Sequence, residues 1–397
     1  MVKKGYKQTE IGVIPEDWEV KPLKVVAPLQ RGFDLPYSSI KDGIYPVVFS
    51  NGIGAYHSSY MVKGPGVVMG RSGTIGKIHY VKSDYWPHNT TLWVTDFHNN
   101  DPLFASYLFK TIPWNLYNSG SGVPTLNRND VQDYLVAIPS PKEQTEIAAI
   151  LSDVDTLINS LKRQIIKKKA IKQGAMQELL TGKRRLPGFF GEWQSYVFGY
   201  LFDFIPNNAF TRAQMDVSGR VKNIHYGDIL TKYGAYISAD SKDIPYIAKE
   251  IDLSRFSEKC YLQSGDLVIA DTAEDETVGK ALEVINVECP VLAGQHTLLC
   301  RPKVRFAEKF LGYYLNAACY HDQMLPYIVG TKVSSVSKAS IAQTKLVVPK
   351  YEEQQAISSI LADMDDEITE LEQKLAKYRQ VKQGMMQQLL TGKIRLV

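Results

Sequence analysis

The sequence predicts an α/β (α+β) protein. Two globular heads with twisted β-sheets are joined by two long antiparallel coiled-coil helices, with pseudo-twofold symmetry. Three observations predict it. A long block is repeated within the chain, the apolar residues of that block recur at alternating steps of four and three, and the two β-rich stretches outside the blocks share a skeleton.

The repeat comes first because it sets the architecture. EQTEIAAILSDVDTLI…KQGAMQELLTGKRRL, from Glu143 to Leu186, returns as EQQAISSILADMDDEI…KQGMMQQLLTGKIRL, from Glu353 to Leu396. The offset is 210 residues without a gap, and 22 of 44 positions are identical. The match reaches upstream, where AIPSPKEQ (Ala137 to Gln144) aligns with VVPKYEEQ (Val347 to Gln354) and SGSGVPTLN (Ser119 to Asn127) with VGTKVSSVS (Val329 to Ser337).

Each block reads as one long helix. Ile147, Leu151, Val154, Ile158, Leu161 and Ile165 in the first, and Ile357, Leu361, Met364, Ile368, Leu371 and Leu375 in the second, have the spacing of a coiled-coil seam. That seam is narrower than the stripe of a helix lying on a globular core. Pro139, Pro141 and Pro349 stand where a proline does no harm, and each repeated Leu-Leu-Thr-Gly-Lys supplies a C-cap glycine. Thirty-eight residues give a helix of about 57 Å. The first helix is basic late (Lys162, Arg163, Lys167, Lys168, Lys169, Lys172) and the second acidic early (Asp363, Asp365, Asp366, Glu367, Glu370, Glu372). Antiparallel pairing joins these runs, whereas parallel pairing sets basic beside basic.

The expected divisions are therefore a first head over 1–140, a spacer helix over 141–186, a second head over 187–350 and a second spacer helix over 351–397. Within the heads, Gly66-Val67-Val68-Met69 answers Asp266-Leu267-Val268-Ile269, Gly76-Lys77 answers Gly279-Lys280, and Asn89-Thr90-Thr91-Leu92 answers Gln295-His296-Thr297-Leu298. Short β-rich runs precede a helix near Pro102 to Lys110 and near Ala307 to Ala318. EIGVIPEDW, ending at Trp18, resembles PGFFGEW, ending at Trp193, so the start of the chain reads as a continuation of the second helix's exit.

Composition narrows the function. With 44% apolar and 22% charged residues the chain is ordinary for a soluble globular protein. No run approaches the eighteen apolar residues of a membrane span, and no N-terminal signal pattern is evident. Four cysteines without a CxxC pair fit reduced thiols in a cytoplasm. The net charge of +4 permits an anionic partner.

The chemistry of a lone enzyme is missing. GRSGTIGKIHY (Gly70 to Tyr80) is glycine-rich, but five residues separate Gly70 from Gly76 and Ile78 follows Lys77, so it is not a P-loop. Asp34-Leu35-Pro36-Tyr37 lacks the first proline of the tetrapeptide with which adenine methyltransferases hold their target amino group. Leu267-Val268-Ile269-Ala270-Asp271 reads as a buried strand closing at a turn, and no histidines stand at metal spacing. The chain reads as non-catalytic, binding no cofactor or metal of its own. Two diverged heads on a rigid spacer suit the reading of two short sequences on one DNA duplex. A two-headed scaffold for proteins, or a nuclease, are the rivals.

The chain closely resembles the DNA-specificity (S) subunit of type I restriction–modification systems. The resemblance is carried by Ile11-Gly12-Val13-Ile14-Pro15 with Trp18, by Gly70 to Lys77, and by both EQ…I..IL..D copies and both Leu-Leu-Thr-Gly-Lys ends. It implies two target-recognition domains, each reading half of a bipartite, asymmetric site. It also implies two methyltransferase subunits, which bring S-adenosylmethionine for adenine methylation, and motor–nuclease subunits using ATP and Mg for translocation and cleavage. A specificity module of another modification or defence complex is the alternative.

On that footing the DNA-binding candidates of the first head are Arg71, Ser72, Thr74 and Lys77 in the glycine-rich turn, His88, Asn89 and Thr90, and Ser119, Ser121 and Thr125. Those of the second are Thr272, Lys280, Gln295, His296, Thr331, Lys332, Ser334 and Ser335. Arginine and lysine suit guanine or phosphate, and asparagine suits adenine. A plain hairpin, with its glycines serving only the turns, is the alternative for Gly70 to Lys77. The second copy departs at Ala270 to Glu276, which is acidic and could accept from cytosine N4.

Overall fold

A computed structural model describes residues 3–120, 122–330 and 333–396. They form two compact units, one of Met1–Arg163 with Gln373–Val397 and one of Gln164–Glu372. The repeated blocks are single helices, Pro141–Leu179 and Tyr351–Leu389, of 39 residues each, or about 58 Å. Pro141 opens the first, where its missing N–H costs nothing. Past the helix ends Gly182 (φ +68°) and Gly392 (φ +67°) take the left-handed conformation that lets the chain turn away.

In the first unit an antiparallel sheet is built from β1 (Leu29–Arg31), β2 (Gly66–Gly70), β3 (Ile78–Val81) and β4 (Thr91–Val94), in the order β1-β4-β2-β3. Every residue of β2 is buried. The helix Pro102–Phe109 covers one face and is capped by Asp101, whose carboxylate accepts from the amides of Leu103 and Phe104. A smaller sheet joins Gly52–His57, Tyr45–Phe49 and Trp86–Pro87. The core packs Trp18, Met69, Leu92, Phe104 and Phe109 with Ile147 and Leu151 from the first long helix and Leu389 and Leu390 from the second.

The second unit repeats the plan with β5 (Phe202–Ile205), β6 (Leu267–Ala270), β7 (Ala281–Ile285) and β8 (Thr297–Pro302), in the order β5-β8-β6-β7. Tyr236–Ser238 extends this sheet, parallel to β7. The expected second-head helix is two short ones, Phe310–Leu315 and Ala318–His321. Phe198, Phe202, Phe310 and Tyr320 fill a core that also takes Leu179 and Leu180 from the end of the first long helix and Ile357 and Leu361 from the start of the second.

These cores correct the reading of the helix seam. Ile147, Leu151, Ile357 and Leu361 are buried in head cores, and the apolar stripe widens there to include Ala148 and Ala362. The alternating spacing also continues through Ile158, Leu161, Ile165, Ile368 and Leu375, all buried, with Val154, Met364 and Leu371 half-buried. A 3.5-residue period cannot tell a helix facing a partner helix from one facing a sheet.

The charge runs meet as expected inside the second unit. Lys168 pairs with Glu367 at 2.6 Å, Lys169 with Glu372 at 2.7 Å, and Lys172 with Asp365. Lys172 lies after Lys168 on one helix while Asp365 lies before Glu367 on the other, so the segments are antiparallel. The exposed pairs contribute little each, and their value is in fixing direction.

Candidate nucleic-acid interface

Strand β2 leaves the sheet at Gly70, and the glycine-rich stretch connects it to β3. A Cβ on Gly70 would stand 1.9 Å from the Thr74 carbonyl oxygen and 2.8 Å from that of Ser50, so only glycine fits. Gly73 (φ +81°) and Gly76 (φ +71°) supply the left-handed turns. The loop is tied at both ends, with the Gly70 amide donating to the Lys77 carbonyl at 3.0 Å and the Gly76 amide to the Gly70 carbonyl at 3.0 Å.

Two further segments close around it. The Arg71 and Ser72 amides donate to the Thr90 carbonyl at 2.9 and 3.1 Å, the Gly73 amide to Pro124 at 2.9 Å, and the Leu126 amide to the Arg71 carbonyl at 2.8 Å. Ser72 bridges to Thr125. Ser119 closes its own loop by donating to the Thr125 carbonyl from its amide and its hydroxyl. Arg71, Ser72, Thr74, Lys77, His88, Asn89, Thr90, Ser119 and Thr125 are thus one neighbourhood at the end of the sheet. Ser121 lies outside the described residues.

Within it, His88 Nδ1 lies 3.1 Å from the Thr90 hydroxyl, and its ring lies 4.4 Å from that of Phe49. Burial lowers its pKa, which favours neutral imidazole. Asn89 donates its amide to Asp34, and Arg31 pairs with the same carboxylate at 3.1 Å. Lys77 is exposed and its ammonium donates to the Asn51 carbonyl at 2.6 Å. Arg71 lies in a groove with Arg31, Asp34, Asn127 and Arg128. Arg31 at the end of β1, Asp34, Ser50 and Asn51 at a turn of the smaller sheet, and Arg128 were not legible as site residues, because only the folded chain brings these separate segments together.

The second unit carries the same backbone scaffold. The Asp271 amide donates to the His296 carbonyl at 3.1 Å, the Val336 amide to the Asp271 carbonyl at 2.9 Å, and the Gly279 amide to the Ala270 carbonyl at 2.8 Å. Thr272 and Ala273 pair with Ser335 and Ser334. Thr272, Gln295, His296, Ser334 and Ser335 therefore gather, and Thr331 and Lys332 lie outside the described residues. His296 takes a left-handed backbone (φ +55°) and packs edge-on against Tyr226 at 5.2 Å.

Lys280 does not join this group. Its half-buried ammonium donates to the carbonyls of Leu230 (3.3 Å) and Tyr233 (2.9 Å), at and beyond the end of the helix Tyr226–Thr231, and burial lowers its pKa. Lys77 and Lys280 are equivalent in the fold, yet one faces solvent and the other closes a helix end.

A second repeated feature anchors each head to the long helices. Glu143 is 1% exposed and is held by Arg395 at 2.6 and 2.9 Å and by the Trp18 indole N–H at 3.1 Å, while Arg395 also grips Asp17. In the second unit Arg185 grips Glu353 at 2.6 and 2.7 Å and lies against the Trp193 ring. The Tyr107 hydroxyl donates to Asp155, which also takes Lys382; Tyr313, Asp365 and Lys172 repeat the arrangement.

Among the described residues no cluster of histidine, cysteine, aspartate and glutamate could hold a metal, and no helix is long and apolar enough to cross a membrane. The described surface therefore holds two polar loop clusters, each on a rigid strand end, with opposite charge at the residue leaving the central strand.

The comparisons agree with this plan. A model of the family described as type I restriction modification DNA specificity domain matches residues 15–169 and 221–382. The putative type I restriction enzyme MjaX specificity subunit of Methanocaldococcus jannaschii is 25% identical over 447 residues, spanning 99% of this chain and 97% of that one. The MjaVIII specificity subunit of the same organism is 23% identical over 311 residues, 74% of this chain and 70% of that one. The solved S subunit of a type I restriction–modification system from M. genitalium superposes with a TM-score of 0.63 at 14% identity, covering 96% of this chain and 97% of that one.

Proposed function

Because the chain belongs to the type I restriction modification DNA specificity domain family, we propose that it is the specificity subunit of such a system, each head reading one half of a bipartite, asymmetric DNA site. The observation that supports this best is the pair of equivalent loop clusters. One hydrogen-bonded backbone scaffold is kept in both units, while the side chains it presents differ. A rigid frame with variable polar side chains is what base readout needs, since phosphate contacts position a protein and base-edge contacts specify the sequence.

On this reading the chain performs no bond chemistry. Adenine methylation falls to two methyltransferase subunits carrying S-adenosylmethionine, and translocation with cleavage to motor–nuclease subunits that use ATP and Mg. The protein acts in the cytoplasm, where those partners and the DNA are. The repeated Glu143–Arg395 and Glu353–Arg185 anchors support constant surfaces for a partner used twice.

The test is a genome-wide map of N6-methyladenine in cells carrying the chain with its neighbouring methyltransferase, against cells lacking only this chain. Loss of methylation at one gapped, asymmetric motif is the expected result. Identical maps would overturn the reading and favour a two-headed scaffold for proteins.

A further inference from the structure

We infer that the residue leaving the central strand of each sheet is a specificity-determining position: Arg71 after β2 reads a guanine edge, and Asp271 after β6 reads an exocyclic amino group, cytosine N4 or adenine N6. The inference rests on the DNA-specificity reading and adds to it the residue and the class of base feature read by each head.

The two positions are equivalent by hydrogen bonding. Each amide donates across to the second polar loop, Arg71 to the Thr90 carbonyl (2.9 Å) and Asp271 to that of His296 (3.1 Å). Each carbonyl accepts from the segment before the last strand, from the Leu126 amide (2.8 Å) and the Val336 amide (2.9 Å). The next residue bridges to that segment as well, Ser72 to Thr125 and Thr272 to Ser335. The backbone is therefore held on both sides in the same way, and the side chain alone changes.

It changes from cation to anion. A residue kept for packing keeps its chemistry, as the strand interiors do: Val68 and Met69, Val268 and Ile269 are all fully buried and apolar. Arg71 and Asp271 are only partly buried. Among the described residues the Arg71 guanidinium makes one long contact, 3.5 Å to the Asn89 carbonyl, and so is available to a ligand. Asp271 Oδ1 accepts from the Thr272 hydroxyl at 2.8 Å, which orients the carboxylate. A guanidinium only donates and its fork matches guanine O6 and N7. A carboxylate only accepts, and the major groove offers it the amino groups of cytosine and adenine. Phosphates repel it, so a base donor is the DNA feature it suits.

The experiment selects duplexes from a library with both half-sites randomised, using the full chain in complex with its methyltransferase. If the wild type selects no gapped motif, the underlying reading fails, and this is known before any variant is made. Asp271→Asn is expected to lower discrimination about 5- to 150-fold at one base position of one half-site, leaving the other half-site unchanged. Arg71→Gln is expected to do the same at a guanine of the other half-site. A preference profile unchanged by Asp271→Asn overturns the inference. Thr272→Val keeps the charge and removes the orienting hydroxyl, which also lies 3.5 Å from His296 Nδ1, so it decides the matter if Asp271→Asn fails to fold. It should weaken the same single position, and no effect there also overturns the inference.

Discussion

Glu283 on β7 is 1% exposed, and its carboxyl group accepts from the amides of Lys309 (2.7 Å) and Gly312 (2.9 Å). Burial outweighs those bonds and pushes its pKa from 4.5 to about 7. The folded chain therefore holds a proton that the unfolded chain releases at lower pH. The protonated group's contribution is fully present below about pH 4.5 and is lost as pH rises through 7, by up to about 3 kcal/mol. Glu283→Gln should flatten that fall, read as the change in urea midpoint between pH 5 and pH 7.5; the same fall in both proteins would clear Glu283 of the effect. Other details at this scale were only half visible in the sequence. Arg71 was suggested by its glycine-rich turn, Asn89 and Thr90 by residue type alone, and Thr125 by its place in a polar loop. Lys280 had the same residue type and position as Lys77, but its long side chain reaches back to a helix end that only the fold brings near.

At the scale of elements, the joints between heads and long helices carry the most telling chemistry. Arg395 stands beyond the second helix and neutralises Glu143, buried near the start of the first. Removing one partner of a buried pair leaves a charge without compensation, at a cost of about 3 kcal/mol. Arg395→Met should lower the melting temperature by several degrees, and adding Glu143→Gln should restore much of it, since the amide still offers the Trp18 indole an acceptor. No recovery in the double variant would argue that Arg395 acts through Asp17 instead. The repeat revealed that Asp155 and Lys382 have copies in Asp365 and Lys172. It did not reveal Tyr107 and Tyr313, which lie outside the gap-free block and reach the aspartates only when a head helix packs on the long helices. For the same reason the seam was over-extended at Ile147, Leu151, Ile357 and Leu361.

For the molecule as a whole, the proposed partner makes a definite demand. A protein that neutralises six to ten phosphates releases as many counterions, so log K should fall with log salt at a slope of roughly −5 to −9. Titrating the protein with its methyltransferase against a duplex bearing the site, between 50 and 200 mM salt, measures this. A slope near zero would instead fit a scaffold with protein partners. The net charge of +4 is too small to predict the slope, since local clusters such as Arg31, Arg71, Lys77 and Arg128 decide it.

By itself the sequence determined the mixed fold class, the doubled long helix, the antiparallel direction and the equivalence of the two heads. Those properties follow from periodicity, charge order and internal repetition, which are local or self-referential and survive without coordinates. Only the tertiary structure decided which polar loops share a strand end, which of two equivalent lysines faces solvent, and that the same backbone hydrogen bonds hold Arg71 and Asp271 in place. Such facts depend on hydrogen bonds between segments tens of residues apart. No local pattern encodes them, because each segment is an ordinary turn until another closes against it.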